Sequence, residues 1–189
     1  MPIVTKELRP ELWSDLERLF GESGACGGCW CMSWRQERRE KWEDVKGSLA
    51  KRRLSLLVKE EKAHGILAYD DGEPVGWCAF DWRVDFPKLN RAPSLACADA
   101  ERVWSAPCFF VKRSHRGKGL AGVLLRAALS AMKNYGATIV EAYPVKPYPA
   151  GKTIPHAFAW TGTRSLFEAA GFRVAGNRNG GKQRVRLEL

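Results

Sequence analysis

Phe109-Phe110-Val111-Lys112-Arg113-Ser114-His115-Arg116-Gly117-Lys118-Gly119-Leu120-Ala121-Gly122 is an apolar run that meets a glycine turn and opens into an amphipathic stretch. Beyond it, residues 120–135 set Leu120, Val123, Leu124, Ala127, Ala128 and Met132 on one face of a helix, with Gly136 placed to end it. Before it, residues 102–111 read as a central strand interrupted near Pro107, which removes a ladder donor and predicts a bulge or an edge. Backbone N–H groups at a helix start point outward unsatisfied, and the dipole there favours negative charge. Gly117 and Gly119 let main chain approach phosphate with no Cβ in the way, while Lys112, Arg113, Arg116 and Lys118 add positive charge. A pyrophosphate fits such a turn. The turn lacks the Lys-Ser/Thr ending of a P-loop, and it does not match the Gly-x-Gly-x-x-Gly of a dinucleotide fold followed by alternating parallel units.

Working outward, residues 3–8 alternate as a first strand, and Arg9-Pro10-Glu11 opens a helix through Phe20 with Leu12, Leu16, Leu19 and Phe20 at helical spacing. Residues 21–34, rich in glycine, cysteine and tryptophan, have neither period and read as an ordered loop. Residues 36–64 form a long charged stretch with Trp42, Val45, Leu49 and Leu56 toward one side, bent or broken at Gly47. Residues 65–69 and 74–82 are strand-like runs joined by Asp70-Asp71-Gly72-Glu73, a strong hairpin signal. Residues 83–100 read as a long surface loop with room for a helical turn. After the central helix come a short buried strand at 138–143, a proline-containing loop at 144–160 and a short helix at 163–170 stopped by Gly171. A closing hairpin pairs residues 172–175 with 184–189.

The 189 residues suit one compact domain, 1–189, with a core that needs no disulfides. No apolar run approaches the roughly 18 residues that span a bilayer, and the first residues lack a basic stretch followed by an apolar core, so a cytoplasmic protein with no membrane partner is expected. The net charge of +10, from 31 Lys and Arg against 21 Asp and Glu, points to an anionic partner. The basic residues are scattered and no aromatics interleave them as a base-stacking surface would require, so nucleic acid is not expected. Three of six cysteines crowd into Cys26-Gly-Gly-Cys29-Trp-Cys31. Cys26, Cys29 and Cys31 have a spacing that zinc can use, but no second Cys-x-x-Cys or paired histidine supplies a fourth ligand. Packed cysteines, with no metal, are the main expectation, and a redox pair stays open.

Arg116-x-x-Gly119-x-Ala121 resembles the Arg/Gln-x-x-Gly-x-Gly/Ala signature of the GNAT acetyltransferases. The preceding strand, following helix, next short strand and terminal Ser165-Leu166-Phe167-Glu168-Ala169-Ala170-Gly171-Phe172 resemble that family's order, specifically over about residues 103–174 and only architecturally before. The resemblance implies an α/β (α+β) GNAT fold: a mixed, mostly antiparallel, twisted sheet of about six to seven strands flanked by about four helices. It further implies acetyl-CoA (coenzyme A) as cofactor, held by Phe110, Val111, Arg116, Gly117, Lys118, Gly119, Leu120 and Ala121, mostly through backbone atoms. The function it implies is acyl-CoA-dependent N-acetyl transfer to a primary amine of a small molecule. A non-catalytic acyl-CoA sensor and a protein or peptide N-acetyltransferase are the alternatives, and a homodimer is left open.

Acyl transfer to an amine needs a neutral amine, a polarised thioester and an acid for the departing thiolate. Many of the enzymes this chain resembles carry a tyrosine as that acid in the final helix, where Phe167 stands here. Replacement candidates are Tyr143, Tyr148 and His156, on the strand and loop expected near the thiol end of the cofactor, and Glu101, which could activate the amine through water. By the same resemblance the loop after the first helix lines the acceptor pocket, which would bring Trp30, Met32, Trp34 and Arg35 to the substrate. Aromatic walls and one guanidinium suit an amine with an apolar or carboxylate-bearing body.

Overall fold

The computed structural model describes residues 2–146, 159–176 and 182–189. Seven strands form one sheet: β1 (Val4–Glu7), β2 (His64–Asp70), β3 (Glu73–Trp82), β4 (Trp104–Val111), β5 (Ile139–Ala142), β6 (Arg173–Val174) and β7 (Val185–Glu188). Their order is β1-β2-β3-β4-β5-β7-β6, antiparallel throughout except for the parallel β4–β5 pair. Among the described residues there are six α-helices: α1 (Trp13–Phe20), α2 (Trp42–Val45), α3 (Ser48–Lys59), α4 (Pro87–Arg91), α5 (Leu120–Asn134) and α6 (Arg164–Ala169).

Alternation along β3 assigns the two faces of the sheet. Cys78 and Phe80 pack with Ile66, Trp104 and Ala106 beneath Leu120, Leu124, Leu125, Ala128 and Met132 of α5. Trp77 and Ala79 face the other way, with Leu67, Tyr69 and Cys108, into a layer made by Leu16, Leu19 and Phe20 of α1 and Ala50, Leu54 and Val58 of α3. The sheet is therefore buried on both faces, and β3 is apolar almost end to end. Asp71 and Gly72, at φ 49° and 77°, make the two-residue β2–β3 turn that the Asp-Gly dipeptide predicts.

The long charged stretch is a short α2 and a longer α3 divided at Gly47, and the surface segment before β4 holds α4 together with 3-10 turns. These two short helices, α2 and α4, account for six helices where about four were expected. Pro107 does mark a bulge: Ala79 pairs with Cys108 and Asp81 with Ser105, so Ala106 and Pro107 together oppose Phe80 alone.

The parallel pair matters most for function. β4 and β5 are in register only at Trp104↔Val140 and Ser105↔Glu141. Past Ser105 β4 runs on to Val111 without β5 beside it, and a wedge opens between them toward the start of α5.

Candidate active site

The wedge is a cleft of about 600 Å³. One wall is Phe109, Phe110 and Val111 of β4, and its end is Arg116, Gly117, Gly119, Leu120 and Ala121. Gly117 and Gly119 have φ of 74° and 76°, left-handed values that turn the chain from the strand into α5, and a Cβ on either would meet nothing within 4 Å. Backbone conformation, and open space above it, are what glycine supplies here. Among the described residues the N–H groups of Gly117, Lys118, Gly119, Leu120 and Ala121 donate to no protein acceptor, while the next two, Gly122 and Val123, both reach the Gly119 carbonyl. Five consecutive free donors at the N-terminus of a 15-residue helix form an anion cradle, and the donor set fits a pyrophosphate.

The polar groups of β4 on the wedge side are partly engaged. The Phe109 N–H donates to the Trp160 carbonyl at 2.7 Å, and Arg116 Nε donates to the Val111 carbonyl at 2.9 Å. Residues 159–162 thus lie along part of the edge that β5 leaves uncovered. With Thr163, Ser165 and Leu166 of the α6 region they form the second wall of the cleft.

Seven of the eight expected cofactor residues line this cleft; Lys118 is exposed beside it. Of the residues expected at the acceptor, Trp30, Met32 and Trp34 are buried rather than cleft-lining, at 4%, 4% and 6% exposure. Trp34 Nε1 donates to the Pro107 carbonyl at 3.1 Å, and its ring lies 5.7 Å from Trp160 and 6.0 Å from Tyr143. Arg35 is ion-paired to Asp81 and stacked 4.6 Å over Phe86, so its guanidinium is already used inside the protein. Asp81 also takes Nδ1 of His64, and that bond holds the His64 pKa above its ordinary value.

Tyr143 is fully buried. Its hydroxyl shares hydrogen bonds with Ser105 Oγ at 2.7 Å and Arg83 Nη1 at 3.2 Å, and burial pushes its pKa well up. This hydroxyl belongs to a buried polar network centred on Glu141, which accepts from Arg184 and Arg186 at 2.7 Å, while Arg186 also grips Asp99 with two bonds of 2.8 Å. Glu101 is exposed on the turn at Ala100–Arg102, at the far end of β4 from the glycine turn. Tyr148 and His156 lie outside the described residues. Phe167, where a tyrosine was expected, is completely buried against Phe109 and Phe172 at ring distances of 6.0 and 5.4 Å.

Two contributors escaped the sequence reading. Ala25 and Cys26 line the cleft from the cysteine-tryptophan loop, and Trp160 closes over Phe109 from a segment read only as a proline-containing loop. The loop itself is wound tightly: Ala25, Trp30 and Cys31 adopt φ of 69°, 42° and 53°, left-handed values costly for residues with a Cβ. Among the described residues no three His, Cys, Asp or Glu side chains converge as a metal site, and no helix is long and apolar enough to cross a membrane.

Residues 29–149 match the model of the acetyltransferase (GNAT) family. The chain belongs to that family, whose members are acetyltransferases. Three solved structures show the same fold over nearly the whole chain. PaiA N-acetyltransferase of Thermoplasma acidophilum, in complex with coenzyme A, is 15% identical with a TM-score of 0.59, covering 100% of both chains. A GNAT superfamily phosphinothricin acetyltransferase of Sinorhizobium meliloti, in complex with AcCoA, is 14% identical with a TM-score of 0.58, covering 100% of this chain and 89% of the other. Ribosomal-protein-alanine N-acetyltransferase of Brucella melitensis is 13% identical with a TM-score of 0.56, covering 98% and 99%. No curated protein matches the chain by sequence.

Proposed function

We infer that the protein transfers acetyl from acetyl-CoA to a primary amine of a small molecule. The observation that carries the donor half is the row of five free N–H groups, Gly117 to Ala121, at the end of an apolar wedge beside an unpaired stretch of β4. Bound acetyl-CoA supplies an activated thioester, and the chain's own residues hold it. The amides from Gly117 to Ala121 and the Arg116 guanidinium take the pyrophosphate, with Lys118 adding charge from outside. Phe109, Phe110 and Val111 flank the pantetheine arm, whose amides are strand-like partners for the wedge edge of β4. The Phe109 N–H, which donates to the Trp160 carbonyl at 2.7 Å, is a β4 donor that would polarise the acyl oxygen of a bound thioester if released from that carbonyl.

Among the described residues the cleft lining holds Cys26, His115, Thr163 and Ser165 as groups with transferable protons, and no carboxylate or tyrosine. Both His115 ring nitrogens are engaged, by Ser114 Oγ at 2.9 Å and Asp70 at 3.0 Å. Tyr148 and His156, singled out from the sequence, stay candidates for protonating the thiolate beside these groups, and positioning of the two reactants supplies much of the rate. On the acceptor side, the cleft-lining Trp160 ring and Lys182, whose ammonium lies 5.6 Å over it, suit an amine with an apolar or carboxylate-bearing body.

Calorimetric titration with acetyl-CoA tests the donor half. Gly119→Trp, which puts an indole where the cradle must stay open and forces a Cβ into φ 76°, is expected to weaken binding by about 100-fold or more while the circular dichroism spectrum stays unchanged. Equal affinity of the two proteins would sink the assignment. Thiol release against panels of small amines and of peptides then separates the readings. A small-molecule enzyme answers the first panel, a peptide enzyme the second, and a sensor binds acetyl-CoA and releases no thiol with either.

A further inference from the structure

Cys31 and Cys108 are separated by 77 residues in sequence, yet their sulfurs stand 3.1 Å apart, both buried, at 6% and 4% exposure. The approach is built from three sides. The left-handed backbone at Trp30 and Cys31 turns the loop inward, the bulge at Ala106 and Pro107 sets the direction of Cys108, and Trp77 Nε1 donates to Cys31 Sγ at 3.1 Å. Two thiolates on a tetrahedral zinc, each about 2.3 Å from the metal, would be about 3.8 Å apart. The pair is too close for that and is already served by an indole N–H. Cys29 touches Cys31 through a side-chain hydrogen bond and is half-buried, and Cys26 is exposed and lines the cleft. Sulfur is thus spaced inward from the open cleft: Cys26 lies within electrostatic reach of Cys29, and Cys29 bonds to Cys31 of the buried pair.

We propose that Cys31 and Cys108 are a reversible disulfide-forming pair, reached by low-molecular-weight disulfides through Cys26 and Cys29. In the first exchange Cys26 thiolate attacks the small disulfide RSSR, forming Cys26–S–S–R and releasing RS⁻, which takes up a proton. Cys29 then attacks the Cys26 sulfur and expels the second RS⁻, closing Cys26–S–S–Cys29. Cys31 attacks the Cys29 sulfur and frees Cys26, and Cys108 attacks the Cys31 sulfur and frees Cys29. The sum is one RSSR reduced to two RSH and one dithiol oxidised to Cys31–S–S–Cys108. Sulfur-to-sulfur hydrogen bonds at Cys29 and Cys31, and burial at all four sites, hold these thiols protonated, so the exchange is slow at neutral pH. The product ties the cysteine-tryptophan loop covalently to β4 one residue before Phe109, whose amide faces the cleft. The site stands whatever the acyl acceptor is.

The test is oxidation of the fully reduced chain with glutathione disulfide, acid quenching, alkylation of the remaining thiols and peptide mass mapping. Expected is loss of two of the six thiols, a peptide bridge joining Cys31 to Cys108, no retained glutathione, and full reversal by dithiothreitol. Cys26→Ser should reach the same bridge about tenfold or more slowly, because the exposed entry thiol is gone. Cys108→Ser should stop with glutathione on the loop or a bridge among Cys26, Cys29 and Cys31; if that variant does not fold, the bridge mapped in the unaltered chain still decides. The proposal is overturned if glutathione stays on Cys26 while Cys31 and Cys108 remain alkylatable on denaturation. It is equally overturned if the chain as purified carries one zinc per molecule that is released when the cysteines are modified. Neither readout uses acetyl-CoA, so failure here and failure of the acetyl-transfer reading are separate events.

Discussion

At Gly65 a Cβ would stand 2.1 Å from the Trp77 ring, which is 1% exposed and held by its N–H on Cys31. The ring cannot retreat without abandoning that sulfur and the aromatic group around Phe20. Gly65→Ala should therefore cost about 3 kcal/mol in urea unfolding, an overpacking penalty at the high end because the obstacle is a rigid indole. His64, next in the chain, carries a pH dependence. Its ring faces Asp81, with Glu7 and Arg35 as the other charges acting on it, and sits among Phe80, Trp104 and Tyr135. The Asp81 bond raises its pKa above 6.5, so its protonated form binds tighter in the folded state. The stabilisation is complete below pH 6.5 and is lost as pH climbs through the folded value. Unfolding free energies at about pH 5.5 and about pH 8.5 should differ more in the unaltered protein than in His64→Gln; equal differences would show that His64 is not the titrating group.

Among elements, the unit from β4 through the glycine turn to α5 was legible because every signal in it is local: an apolar run, glycines where φ must be positive, and a clean helical period. The hairpin of β2 and β3 was legible from Asp-Gly for the same reason. The fate of the cysteine-tryptophan loop was not. Its tryptophans and Arg35 looked free to meet a substrate, but contacts made 46 to 77 residues away with Asp81, Phe86, Pro107 and Cys108 draw the loop into the protein, and no local pattern announces such contacts. Tyr143 was picked out by type and by its place at the end of β5, yet whether a tyrosine meets a cleft or a buried arginine depends on what the neighbouring strands bring. Here β7 with the residue just before it, and the segment before β4, bring Arg184, Arg186, Asp99 and Arg83 around Glu141. Glu141 lies under three guanidinium groups, of which Arg186 alone has a second carboxylate in Asp99, and it has no exposed surface. Glu141→Gln should destabilise the chain by about 3–5 kcal/mol in denaturant unfolding, the cost of leaving buried charge uncompensated, whereas a loss below about 1 kcal/mol would mean that water reaches the cluster.

Over the whole molecule, the one parallel join is short: apart from the β6–β7 pair at the sheet's edge, also two residue pairs, it is the slightest of the joins. Two residue pairs connect β4 to β5, against seven between β2 and β3 and four between β5 and β7. The sheet is in effect two antiparallel panels, β1 to β4 and β5 to β6, meeting along a short seam that α5 covers from one side. Such panels are natural units of partial opening. In native-state hydrogen exchange, the amides of β5 and β7 should exchange together, sooner than those of β2 and β3, and a ligand lying in the wedge should slow the β5 and β7 group most. Occupancy of the cleft would then be legible as mechanical continuity of the sheet, readable at amides that never touch the ligand.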